Sequence, residues 1–190
     1  MGRASGKYDD IGSIVCGCTS GDRAAQRALY EMYARKMAAV CMRYVADRET
    51  ALDLMHDGFI LLFDKIGQFK GEGAFEGWMR RLFTNVALEY LRKNDALRGS
   101  DDIEVLSYTA LSEDETAIER MSADEIVACI NSLPPTPRTV FNMFAVDGYS
   151  HAEIAQTLHI PETTVRSHYL RARRALQKMI AELAAERKEK

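Results

Sequence analysis

The chain has 190 residues, 47% of them apolar and 28% charged, with a formal net charge of −3. That length accommodates one ordinary domain or two small ones, and the balance of residues is that of a globular protein. No apolar run approaches the roughly 20 residues of a membrane span, and the opening MGRASGKYDD lacks the apolar centre of a secretory leader. No membrane insertion is expected, and a cytoplasmic location is.

Residues before Gly21 carry Gly and Ser with little periodicity, which predicts a flexible tail over 1–20, with a short helix around Ile11 to Val15 left open. From Asp22 the spacing is helical. Leu29, Met32, Tyr33, Val40, Cys41 and Tyr44 mark one helix, and after a break at Asp47 to Thr50 a second carries Leu52, Met55, Phe59, Phe63 and Ile66 on one stripe. Gly67, Gly71, Gly73 and Gly77 then predict a loop, since so many glycines do not suit a helix interior. A third helix follows through Trp78, Leu82, Phe83, Val86, Tyr90 and Leu91, ending near Asn94. Between Asp101 and Glu119 stand seven acidic residues and no Lys or Arg, which predicts an acidic linker over 98–122. Beyond it Ile126, Val127 and Ile130 begin a helix that Pro134-Pro135 stops, and Val140, Phe141 and Phe144 mark another that ends at Asp147-Gly148. No alternating strand pattern occurs, so the expected fold is all-α, with small helical domains at 21–97 and 123–186.

The stretch from Tyr149 to Met179 is the most informative. Ser150 with Glu153 three residues later is a capping-box start. Ile154, Ala155 and Leu158 share a face, and Leu158-His159-Ile160 forms a turn ending at Pro161, which suits a first helical position. Val165, Tyr169, Ala172 and Leu176 then face inward while Arg166, Arg171, Arg173, Arg174 and Lys178 project elsewhere. Two short helices joined by a tight turn, the second cationic, have the form of a helix-turn-helix that lays its second helix in the DNA major groove. Scattered cations alone would read as a solvated face; the capped first helix and the tight turn favour DNA. The net charge of −3 conceals this, because cations gather at Arg80, Arg81, Arg92, Lys93, Arg98 and from Arg166 onward, on either side of the acidic stretch.

Other chemistry finds little support. Cys16, Cys18, Cys41 and Cys129 do not form the two matched pairs of a zinc site and read as core or incidental thiols. Asp53, His56 and Asp57 have helical spacing for a metal, but no further ligand is delivered to them, so no metal and no cofactor are expected. No phosphate-binding loop, HExxH, nucleophile elbow or dinucleotide fingerprint occurs, so a catalytic role is not expected either.

The order of modules resembles the extracytoplasmic-function (ECF) sigma factors of bacteria, sigma-70 family subunits of RNA polymerase. The motifs that carry the resemblance are Leu133-Pro134 with Arg138, Gly148-Tyr149-Ser150 with Glu153-Ile154-Ala155, Thr164-Val165-Arg166-Ser167 and Arg171-Ala172-Arg173. In the first module they are Asp53-Leu54, Asp57, Phe59 and Phe75-Glu76-Gly77-Trp78-Met79-Arg80. The chain departs from the family at Thr163, where Gly is frequent, at His56, where Gln is frequent, and at His168, where a second Arg is common.

The resemblance implies an alternative sigma factor that directs promoter recognition, −10 melting and transcription initiation. Asp53, His56 and Asp57 would dock on the clamp helices of the largest subunit of core RNA polymerase, and the second module on the flap. Phe69, Lys70, Phe75, Trp78, Arg80, Arg81, Asn85, Arg92 and Lys93 would hold the melted −10 strand. Thr163, Thr164, Arg166, Ser167, His168, Arg171, Arg173 and Arg174 would face the −35 element of promoter DNA, and an anti-sigma factor is a further partner of this kind of protein. The competing reading is a response-regulator-type activator, which ends in a similar helix-turn-helix but normally carries an α/β receiver module.

Overall fold

The computed structural model describes residues 10–94 and 121–188. Among these the secondary structure is helical, in two compact units that divide between Glu89 and Tyr90. The domain boundary expected after residue 97 lies outside the described residues, as does all of the expected linker except its last two residues.

In the first unit, α1 (Ile11–Thr19) begins at Asp10, whose carboxylate accepts the Ser13 amide at 2.9 Å. It ends in a Schellman motif, with the Asp22 amide donating to the Gly17 carbonyl and the Gly21 amide to Cys18. Gly21 takes the left-handed conformation this motif needs, at φ 76°. Ile14 and Cys18 are buried against α2. From Asp10 onward the expected tail is therefore a packed helix. Two buried positions four apart are too few to register as a period, so the sequence pattern undercounted it.

The same Asp22 caps α2 (Arg23–Tyr44), accepting the Ala24 amide at 2.8 Å. Ala25, Leu29, Tyr33, Met37, Val40, Cys41 and Tyr44 are buried along it, whereas Met32, expected on the apolar stripe, is exposed. A short extended break leads to Asp47, which caps α3 (Arg48–Lys65) through the Thr50 amide at 2.7 Å. A 3-10 turn, Ile66–Gln68, opens the glycine loop, and α4 (Phe75–Lys93) follows. Phe83, fully buried on α4, meets Phe59 of α3 edge to face at 5.1 Å, and Gly58 supplies the space for its ring.

In the second unit, α5 (Ala123–Asn131) starts with a capping box, Ser122 and Glu125 bonding reciprocally. Next, α6 (Pro135–Phe141) runs on as a π-helical turn, Asn142–Val146, that ends at Gly148, φ 75°. Arg138 is buried, and its Nη1 donates to the Asn131 carbonyl at 3.0 Å, tying α6 to the end of α5. Burial pulls its pKa below the ordinary arginine value.

The last two helices are α7 (His151–Leu158) and α8 (Glu162–Lys188). Both halves of α8 are used. Val165 and Ala172 are fully buried in its first half, and Leu176, Met179 and Leu183 farther along pack with Cys129, Ile130 and Leu133 of the α5 segment.

Candidate nucleic-acid interface

The turn between α7 and α8 is built locally. Ser150 accepts the Glu153 amide at 3.2 Å, and the Glu153 carboxylate accepts the Ser150 amide at 2.8 Å, as the capping-box spacing predicts. At the other end of α7, His159 sits in the left-handed region at φ 56°, which lets the Ile160 amide reach back to the Ala155 carbonyl at 3.2 Å. Pro161 lies one position earlier than expected. Its carbonyl accepts the Val165 amide, making it the residue before the first helical turn rather than the first within it.

On α8, Thr163, Ser167, Leu170 and Arg174 recur at spacings of four, three and four, so they form one outward stripe, and all four are exposed. Arg166 and Arg173, seven apart, lie along one edge of it, while Arg171 is half-buried on the opposite edge and Thr164 is half-buried beside the turn. The Arg166 guanidinium is held at 2.6 Å by Glu162, one turn back. His168 does not join this surface. It is 4% exposed and lies on the inward side with Val165 and Ala172. The packing of α5, α6 and α7 against α8 makes the buried arc of that helix wide, and His168 falls inside it. Leu170, 47% exposed among these polar and cationic residues, was missed by sequence reasoning, although its place one turn after Arg166 could have identified it.

A second surface begins where the glycine loop meets α4 and follows that helix. Phe69, Phe75 and Trp78 form a cluster with ring centroids 5.2 to 5.8 Å apart. Phe75 also meets Tyr33 of α2 at 6.3 Å. Phe75 is itself buried and belongs to the core, so the aromatic faces left partly open are those of Phe69 and Trp78. Trp78, Arg81, Asn85 and Arg92 recur at three, four and seven along α4 and share a stripe that also carries Glu89; Lys70 and Lys93 are exposed nearby in sequence. Arg80 is committed elsewhere, since its Nη2 lies 3.2 Å from Glu76, which also accepts from Lys36 at 2.8 Å.

The third surface is the outward side of α3. Asp53, His56, Asp57, Ile60 and Asp64 follow the three-four spacing of a single stripe, and all are exposed. Ile60 stands at its centre, 70% exposed, an apolar point within an acidic face that sequence reasoning passed over. His56 is anchored toward α2, its Nε2 lying 3.3 Å from the Tyr30 hydroxyl, and the Tyr30 ring packs on Phe59 at 4.7 Å. Among the described residues no three His, Cys, Asp or Glu side chains gather as a metal site would require. The thiols are separated too. Cys16 is exposed while Cys18 and Cys41 are buried, and burial pushes their pKa values up to about 11 and about 12.

Comparison with known proteins agrees with this arrangement. Residues 29–97 match the Sigma-70 region 2 family and residues 123–176 match Sigma-70, region 4. The chain is 31% identical over 176 residues to the RNA polymerase sigma-H factor of Pseudomonas aeruginosa, covering 87% of this chain and 91% of that protein. It is 30% identical over 173 residues to the ECF RNA polymerase sigma-E factor of Haemophilus influenzae, covering 86% and 91%. Among solved structures it resembles the sigma factor RpoE in complex with the anti-sigma factor NepR from Bartonella quintana, with a TM-score of 0.52 and 17% identity over 82% of this chain and 96% of that one. It also resembles CnrH in complex with the cytosolic domain of CnrY, at a TM-score of 0.50 and 17% identity over 89% and 96%. These last two likenesses concern the fold alone. With both sigma-70 regions present in order, and relatives at this identity matched over most of their length, the chain belongs to the ECF group of the sigma-70 family of RNA polymerase sigma factors.

Proposed function

We propose that this protein is an alternative sigma factor that binds core RNA polymerase, positions it on promoter DNA through two separate surfaces and itself catalyses no reaction. The observation that carries this reading is the capped helix-turn-helix with Arg166, Arg173 and Arg174 exposed on α8, joined in one chain to an acidic α3 face and an aromatic-basic α4 face. The acidic stripe Asp53, His56, Asp57 and Asp64, with Ile60 at its centre, docks on the clamp helices of the polymerase largest subunit. Its carboxylates steer a cationic partner, and Ile60 supplies apolar area that becomes buried on docking. Membership of this family supports a cytoplasmic site of action, and none of the helices among the described residues is long and apolar enough to cross a membrane. One of the two similar solved structures shows a sigma factor in complex with an anti-sigma factor, and we extend a partner of that kind to this chain.

Phe69 and Trp78 stack on a base unpaired from the −10 element, while Lys70, Arg81, Asn85, Arg92 and Lys93 follow its strand. Unpairing costs a few kcal/mol, which the stacking offsets. On α8, Arg166 and Arg171 flank the stripe and read base edges in the −35 element, with Ser167 between them. Leu170 suits a thymine methyl group. Thr163, Thr164, Arg173 and Arg174 contact phosphates. A response-regulator activator would need an α/β receiver, and the described residues contain no strand.

Run-off transcription with purified core polymerase on a promoter library tests the function; if no promoter is ever selected, the reading is wrong. Within it, Arg166→Ala or Arg171→Ala relaxes −35 preference by about 1–3 kcal/mol for a guanine contact. Arg173→Ala or Arg174→Ala instead weakens all duplexes alike and flattens the salt dependence. Equal losses from all four variants on cognate and scrambled duplexes would show binding by charge alone.

A further inference from the structure

Lys36 belongs to none of the surfaces assigned above, yet it lies beside one. It projects from α2, and its Nζ donates to Glu76 Oε2 at 2.8 Å, across 40 residues of sequence. The other oxygen of the same carboxylate accepts from Arg80 Nη2 at 3.2 Å. Two cations from two helices thus hold one carboxylate, with one oxygen given to each. The Lys36 ammonium also stands 5.4 Å from the centre of the Tyr33 ring, and Tyr33 meets Phe75 of the aromatic cluster. The carboxylate itself is partly covered but open to solvent, its side chain being 32% exposed. An oxyanion bridging an ammonium and a guanidinium is the arrangement in which those two groups bind a phosphodiester.

We propose that Lys36 and Arg80 form a phosphate cradle for the displaced single DNA strand, and that Glu76 fills this cradle until the strand replaces it. The ligand class is a phosphodiester of single-stranded DNA adjoining a base stacked on Phe69 or Trp78. This rests on the reading that the glycine loop and the start of α4 face the melted strand. Glu76 then acts as an internal competitor. It neutralises two cations that would otherwise attract any nucleic acid, and it yields only where stacking of the neighbouring base adds to the phosphate contact.

The full chain is titrated into a fluorescently labelled oligothymidine strand at two salt concentrations. Glu76→Gln keeps the shape and removes the charge; it is expected to tighten binding about three- to tenfold and to steepen the log–log salt dependence by about 0.7, one extra single-strand phosphate. Adding Lys36→Met to that variant removes the gain. Unchanged or weaker binding by Glu76→Gln overturns the proposal, and so does a gain that survives Lys36→Met. Glu76→Met, with the same readings expected, covers the case in which the amide disturbs the α2–α4 contact, and helicity by circular dichroism verifies folding. Phe69→Ala separates the two levels. If it leaves binding of the strand unchanged, the strand-facing reading fails; if it weakens binding while Glu76→Gln is neutral, only the cradle fails.

Discussion

Replacing Gly58 by alanine is expected to destabilise the first unit, against the usual trend for helices. In an exposed helix interior the change would add about 1 kcal/mol of stability. Here a Cβ would lie 2.5 Å from Cε1 and 2.6 Å from Cδ1 of Phe83. Ordinary carbon contacts are about 3.5–4.0 Å, so the ring or the helix must retreat by about 1 Å. Phe83 has no exposed surface and is braced edge to face by Phe59, so that retreat disturbs the α3–α4 packing. Overpacking of this kind costs about 1–3 kcal/mol, and three ring atoms within 3.0 Å put this site at the upper end, leaving a net loss of about 2 kcal/mol. Trp78 is the only tryptophan and lies in the first unit, so its fluorescence in urea reports on that unit. With a slope near 2 kcal/mol/M, the midpoint falls by about 1 M. Gly77→Ala is the control, since nothing lies within 4 Å of its Cβ, and it should raise the midpoint. Phe83→Leu should cost less in the Gly58→Ala background than in the wild-type chain, because the smaller side chain relieves the clash. A midpoint for Gly58→Ala that stays put or rises would refute the reasoning.

Other expectations follow from single residues. His159→Gly relieves a left-handed non-glycine residue, φ 56°, and should stabilise the second unit by about 1 kcal/mol in thermal unfolding while leaving −35 duplex binding unchanged. A thiol probe at neutral pH should label Cys16 well ahead of Cys18 and Cys41, whose burial raises their pKa values to about 11 and about 12; equal rates, followed by mass spectrometry of peptides, would contradict the packing of α1 on α2. The Lys36 and Arg80 contacts hold the Glu76 carboxyl below its ordinary value of 4.5. Its contribution is therefore present above pH 4.5 and lost as pH falls through the lowered value, so acid titrations of wild type and Glu76→Gln should differ in that window and run parallel above it.

The chain order of helices, the capping box at Ser150 and Glu153 and the outward stripe of α3 were legible in the sequence. Each depends on residues within about one helical turn of one another, where spacing alone sets the face and the bonding partner. The motifs of the helix-turn-helix and of the Phe75 to Arg80 segment were legible for the same reason. The resemblance they carry is borne out by the family and the relatives matched. What escaped were properties that arise when helices meet. His168 was expected to face DNA, but α8 packs against three helices and its buried arc closes over that side chain. Phe75 sits beside the strand-capture residues in sequence, yet Tyr33 and the neighbouring rings draw it into the core. α1 was expected as no more than a short helix around Ile11 to Val15 in a tail, because only Ile14 and Cys18 are buried along it; its full length and its packing on α2 were not legible. Lys36 and Glu76 are 40 residues apart, and no local rule pairs them. Spacing along one helix determines which residues share a face; only the neighbouring helices decide whether that face is buried, paired with a distant charge or left open for a ligand.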